Sequence, residues 1–208
     1  MNRALHAIAF ALCIAGCATA PVTLVTLPPV AAVDADPAPG ASVMLREVRL
    51  PGYLDGFPVV LGRDGGALVV SGNAEWAEHL SIGATRALRD ALAHRLGTAR
   101  VVIPGEGRTA DAELAVEFLA LDPQDGAVQL DARWFYACAG GGGRGDRTRL
   151  QVPTTGATAS AVAAATGQAL ARFGAVLAAA LPCTAARKVG ADPDRAAAAV
   201  ATARAAGK

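Results

Sequence analysis

Four cysteines, at positions 13, 17, 138 and 183, are the residues of this chain best suited to covalent chemistry. Two of them lie in the opening stretch MNRALHAIAFALCIAGCATAP, where Arg3 precedes an apolar run from Ala4 to Ala15. That run is shorter than the roughly 20 apolar residues of a membrane-crossing helix, and a cation, an apolar run and then small residues is the order of a secretory signal. Two processing chemistries compete at its end. Ala18-Thr19-Ala20 offers a plain small-x-small cleavage site, whereas Ile14-Ala15-Gly16-Cys17 reads as a lipobox. Small residues ahead of a cysteine leave its thiol open to a diacylglyceryl transferase. Cys17 has them; Cys13, preceded by bulky Leu12, does not. The lipobox is the preferred reading, with residues 1–16 as signal peptide and Cys17 as the lipidation site. Several acyl chains on one residue anchor far more firmly than one, at about 0.8 kcal/mol per buried methylene.

Cys138 and Cys183 are then the only cysteines left for the mature domain. The periplasm is oxidising, and an isolated pair there most often bridges. Two buried free thiols are the alternative. Metal and acid–base chemistry find less support. His6 is lost with the signal, and His79 and His94 have no cysteine or second histidine near them, whereas a zinc site needs clustered ligands. Asp55, Glu75 and Glu78 could form an acid–base set, but they lie in or beside loops where solvated carboxylates are the default. No Gly-x-Ser-x-Gly elbow, Walker loop or dinucleotide fingerprint occurs. The run GGGGRGD (140–146) is glycine-rich, yet it falls between two strands and reads as a hairpin loop; phosphate cradling wants a helix start directly after. Its Arg144-Gly145-Asp146 spells an adhesion tripeptide of the kind that recurs by chance. The expectation is a non-enzyme with no cofactor and no metal.

The elements that position these residues follow from periodicity. The mature chain suits one domain by length, and a formal net charge of +1 leaves no footprint for nucleic acid. Residues 17–42 are Pro-rich and weakly periodic, which predicts an extended tether. The domain is expected over 43–183. VMLREVRL (43–50) reads as a strand, and Val59–Leu61 and Ala67–Val70 flank GRDGG as a hairpin. Leu80, Ala84, Leu88, Leu92 and Leu96 recur every four residues, predicting an amphipathic helix ended by Gly97. ARVVI (99–103) is a further strand. Leu114, Val116, Phe118 and Ala120 alternate with Glu113 and Glu117; Val128, Leu130, Trp134, Tyr136 and Cys138 alternate with Gln129, Asp131 and Arg133. TRLQV runs back to Pro153. Val162, Ala165, Ala169, Phe173, Val176, Leu177 and Ala180 mark a second long helix ending before Pro182. Residues 184–208 are expected as an Ala-rich mobile tail. The predicted fold is α+β: one domain, a mostly antiparallel or mixed sheet, and two helices packed on one face. In that topology the second helix returns toward the loop end of the strand carrying Cys138, which favours the bridge to Cys183.

The stretch LPGYLDGFPVVLGRDGGALVVSGNAEWAEHL (50–80) resembles the ABC-type transport auxiliary lipoproteins, the family that includes the lipoprotein of the paraquat-inducible system. The shared features are a lipobox start, a Pro-rich tether, Leu50-Pro51-Gly52-Tyr53-Leu54-Asp55, an apolar hairpin, and Trp76-Ala77-Glu78 opening the first helix. The resemblance covers about residues 43–182. It departs at Gly56, where the family often has a cation, and at His79-Leu80, where it often has Pro-Leu. It implies a non-enzymatic component of a mammalian-cell-entry (MCE) lipid transport system, docked at the periplasmic face of the outer membrane and supporting membrane integrity. The implied partner is an MCE-domain periplasmic or inner-membrane subunit; homo-oligomerisation is left open. Ala18 after the lipidated cysteine also resembles lipoproteins passed to the outer membrane. Tyr53, Leu54, Asp55, Trp76 and Glu78 are expected to form one patch, as a partner contact or as packing, with Asp55 and Glu78 as turn or helix-cap groups and Tyr53 and Trp76 packed over the sheet edge. A structural or assembly lipoprotein of the envelope, without a transport role, is the alternative.

Overall fold

The structure, a computed structural model, describes residues 21–29 and 40–181. Cys17, Cys183 and the expected tail lie outside the described residues. In chain order the elements are β1 (Thr23–Val25), β2 (Val43–Leu45), β3 (Pro58–Asp64), β4 (Ala67–Trp76), α1 (Leu80–Leu96), a short 3-10 turn (Thr98–Arg100), β5 (Val101–Val102), β6 (Ala112–Gln124), β7 (Ala127–Cys138), β8 (Gly143–Pro153) and α2 (Ala159–Ala180). The α+β expectation is met, with one refinement. The strands divide into a three-stranded sheet, β1-β4-β3, and a five-stranded sheet, β5-β2-β6-β7-β8.

The long meander β6-β7-β8 is antiparallel throughout. Its first turn is Asp125-Gly126, both residues with positive φ, the pairing that a tight hairpin demands. Along β7, Val128, Leu130, Ala132, Trp134 and Tyr136 are buried, while Arg133 and Phe135 face solvent. The helices cover the buried side. They approach so closely that a Cβ on Gly174 would sit 2.5 Å from the Ala91 side chain, so glycine is required at that crossing. Phe173 meets Phe118 edge to face at 5.8 Å across the helix–sheet interface.

The strand expected over 43–50 is interrupted after Leu45. The Val48 amide turns aside to donate to Thr85 Oγ1 of α1 at 3.0 Å, and pairing resumes at Arg49, which bridges to Glu117. β6 also departs from simple alternation. A bulge between Phe118 and Ala120 resets its register, so that Leu121, rather than Ala120, points into the core opposite Leu130.

The expected tether changes most. Thr23–Val25 forms a strand parallel to β4, Leu27 is buried, and Pro28 packs on α2, where a Cβ on Gly167 would come within 3.1 Å. This part of the Pro-rich segment belongs to the domain. A Thr-Leu-Val triplet offers too little pattern to predict a strand; the open edge of β4 supplies the partner that its sequence could not announce.

Candidate functional site

The Leu50–Asp55 loop and the Trp76–Glu78 junction meet at the start of α1. Leu54 and Trp76 are both buried, at 3% and 5% exposure, and belong to the main core. The Leu54 amide closes a turn onto the Pro51 carbonyl at 2.9 Å, and the Trp76 amide donates to the Phe57 carbonyl at 2.7 Å. Asp55 performs a cap from a distance. His79 precedes α1 without a capping side chain, and Asp55 Oδ1 instead accepts from the Ser81 amide at 3.2 Å. A carboxylate there satisfies an orphan N–H and complements the positive end of the helix dipole. His79 Nδ1 lies 3.3 Å from the Asp55 carbonyl, and its ring stacks at a tilt on Phe57 at 4.8 Å. Glu78 folds back over the first turn to pair with Arg86.

Tyr53 points away from this group. Its hydroxyl donates to Asp122 Oδ1 at 3.1 Å and accepts from Arg63 Nη2 at 2.6 Å, while Arg63 Nε reaches Asp122 Oδ2 at 2.8 Å. The Arg63 guanidinium carbon stands 4.9 Å from the Tyr53 ring centre. Asp122 is wholly buried. By strand alternation it lies on the face of β6 opposite Leu121, and Tyr53 and Arg63 cover it there. Partial burial, then the Asp122 charge, push the Tyr53 hydroxyl above its ordinary pKa; the hydrogen bond to Asp122 holds Arg63 firmly protonated. Of the five expected patch residues, Asp55 and Glu78 flank the helix start, Leu54 and Trp76 lie beneath, and Tyr53 ties the loop to the five-stranded sheet. Arg63 and Asp122 were not singled out from sequence. The signal was an aspartate between Leu121 and Pro123 in an otherwise apolar strand end.

A second surface is the solvent face of the five-stranded sheet. An open groove of about 400 Å³ runs across it, lined by Arg46, Arg49, Glu113, Glu117, Arg133 and Phe135. Ion pairs stud this face: Arg46 with Glu113 at 2.7 Å, Arg133 with Glu117 at 3.2 Å, and Asp131 with Arg147 at 2.5 Å and Arg149 at 3.1 Å. The hydrogen bond from Arg147 chiefly holds the Asp131 carboxyl down at about 2. Phe135 lies across two glycines of β8. A Cβ at Gly143 would meet its ring at 2.6 Å and one at Gly145 at 3.0 Å. These glycines make the floor for an exposed aromatic.

Each carboxylate of the first surface is committed to a helix start or a guanidinium, and no nucleophile is paired with a base among the contacts described. Residues 23–178 match the family described as ABC-type transport auxiliary lipoprotein component. The chain belongs to that family. Two solved structures share the fold. An uncharacterized protein superposes with a TM-score of 0.64 at 19% identity, over 77% of this chain and 99% of its own. A protein from Xanthomonas campestris superposes at 0.54 and 17% identity, over 76% and 90%. No curated protein matches the chain in sequence. Family membership makes this a transport-auxiliary lipoprotein, and the match begins at β1, consistent with β1 being part of the domain.

Proposed function

We propose that the protein is a non-enzymatic auxiliary subunit of an MCE/ABC-type lipid transport system, anchored to the periplasmic face of the outer membrane by acyl chains on Cys17. The observation that carries this reading is the Ile-Ala-Gly-Cys17 frame placed directly ahead of a transport-auxiliary lipoprotein domain. Lipid movement and ATP hydrolysis belong to separate chains; this one contributes an anchor and a binding surface. The surface at the start of α1 contacts the MCE-domain subunit, with Asp55 and part-exposed Glu78 facing it, Leu54 and Trp76 holding it from beneath, and Tyr53 on its flank tied to the five-stranded sheet. Cys138 bridges to Cys183. Supporting this, the Tyr136 hydroxyl donates to the Leu177 carbonyl at 2.8 Å, which brings the last turns of α2 beside the end of β7 that carries Cys138.

The test joins fractionation to co-purification. Cys17→Ser should move the protein out of the detergent-requiring outer-membrane fraction, and a processed variant that stays there overturns the anchor. The native lipoprotein should co-purify with an MCE-domain subunit, and Glu78→Lys should weaken that capture while circular dichroism is unchanged. Glu78 pairs only at the surface, where an ion pair contributes about 0–1 kcal/mol, so folding survives the reversal. Absence of any MCE subunit from the native complex removes the transport reading and leaves an envelope assembly role.

A further inference from the structure

Only Ala18, Thr19, Ala20 and Pro21 stand between Cys17 and Val22, the residue before β1. Five peptide steps span at most about 18 Å when fully extended. β1 is not free to lengthen that leash. Its three residues pair in register with Ala74, Glu75 and Trp76, the Val25 carbonyl accepts from the Ala77 amide at 2.9 Å, and Leu27 just beyond is buried. Peeling it away would uncover Leu27 and strand an edge. Most of the Pro-rich run falls after β1 and adds nothing to the reach.

We infer that the end of the three-stranded sheet where β1 begins is a lipid-contact surface, resting on the bilayer that holds the Cys17 acyl chains. This rests on the proposed lipidation of Cys17. β1 runs parallel to β4 with Thr23 opposite Ala74, so its start lies on the Asn73 side, toward Val70 and Val69. Val22, Leu24, Val69 and Val70 are all about half exposed or more, Leu24 at 65%. Val69 and Val70 are neighbours in β4, paired with Gly62 and Val60 of β3, and so point to opposite faces of the hairpin. Aliphatics exposed singly are ordinary. Val22, Val69 and Val70 lie toward the end where β1 begins, with Leu24 farther along opposite Glu75. Within a leash of about 18 Å from a membrane anchor, they have the bilayer as their nearest partner. The contact is apolar rather than a clamp on anionic headgroups. Arg63, the hairpin's cation, is committed to Asp122, and Glu75 stands beside Leu24.

Depth-dependent fluorescence quenching tests this on full-length protein, extracted from membranes and reconstituted in phosphatidylethanolamine–phosphatidylglycerol vesicles with acyl-brominated lipid. Trp76 and Trp134 are buried and give a constant background. The probe is Val69→Trp. The control is Ile103→Trp, exposed beyond β5, which neighbours the Ala112 end of β6 through β2. Val69 pairs with Gly62, beside the Arg63 that is moored to Asp122 near the other end. By the register of β5, β2 and β6, Ile103 continues to the level of Leu114, eight strand residues from Asp122, about 26 Å. Tryptophan at 69 should be quenched at least twofold more than at 103. Acylated protein in which the two are quenched alike overturns the lipid contact and leaves the anchor standing. A Cys17 peptide with no acyl mass overturns the anchor and this inference with it.

Discussion

Removing Arg63 should damage this domain far more than neutralising its partner. Asp122 is wholly buried, whereas the Arg63 side chain is 31% exposed. Arg63→Met strands a carboxylate with one remaining partner, the Tyr53 hydroxyl. Breaking a buried pair by deleting one side costs about 3–5 kcal/mol, because the surviving charge has lost its counterion but not its burial. Asp122→Asn removes the charge and keeps the shape, and the freed guanidinium can reach water. Its loss is nearer that of one or two charge-assisted hydrogen bonds made in partial solvent, about 1–2 kcal/mol. For a chain of this size each kcal/mol moves Tm by about 2–4 °C, so Arg63→Met should melt about 6–20 °C lower and Asp122→Asn about 2–8 °C lower. Combining Arg63→Met with Asp122→Leu should recover much of the single Arg63→Met loss, since apolar replacement of both partners is often nearly neutral. Urea melts followed by circular dichroism on all three variants decide it. Equal losses from the two single changes would mean that water reaches Asp122, and would refute the assignment of a desolvated carboxylate pinning the Tyr53 loop and the β3–β4 hairpin to β6.

Two further outcomes follow from the ion pairs and the cysteines. Arg147 and Arg149 hold the Asp131 carboxyl at about 2, below its unfolded value of 3.8, so its stabilisation is complete above about pH 5 and is lost as pH falls from there toward 2; Asp131→Asn should flatten the acid limb of a pH–stability curve in that window, and an unchanged limb would discount those pairs. Non-reducing peptide mapping should recover Cys138 linked to Cys183, with reduction costing about 4 kcal/mol for a loop of that length; recovery of both as free thiols in protein taken from the periplasm would refute the bridge.

How far the chain could be read in advance depended on whether an element carried its own period or borrowed its partner's. α1 and α2 were legible because leucines and alanines at helical spacing are enough to define a buried stripe, with Gly97 ending α1 and Pro182 following α2. β6 and β7 were legible because each is long enough to alternate. Asp125-Gly126 and the Gly141-Gly142 turn supply the positive φ that joins them into a meander. β1 was not legible. Three residues in a Pro-rich stretch bury little by themselves, and only the exposed edge of β4, some fifty residues on, makes them a strand. The Tyr53 loop shows the same limit at the site. Its sequence carried a family resemblance but not its reason. The reason lies in Asp122, sixty-nine residues away, which needs a cation and a hydroxyl once the β6 bulge has reset its strand. Asp55, expected as a turn or helix-cap group, is a cap, but the helix start that it serves lies at Ser81, beyond the whole β3–β4 hairpin. Local periodicity therefore predicted the layers. The polar links that hold loop, hairpin and helix start together are long-range, and so is the pairing that makes β1 a strand.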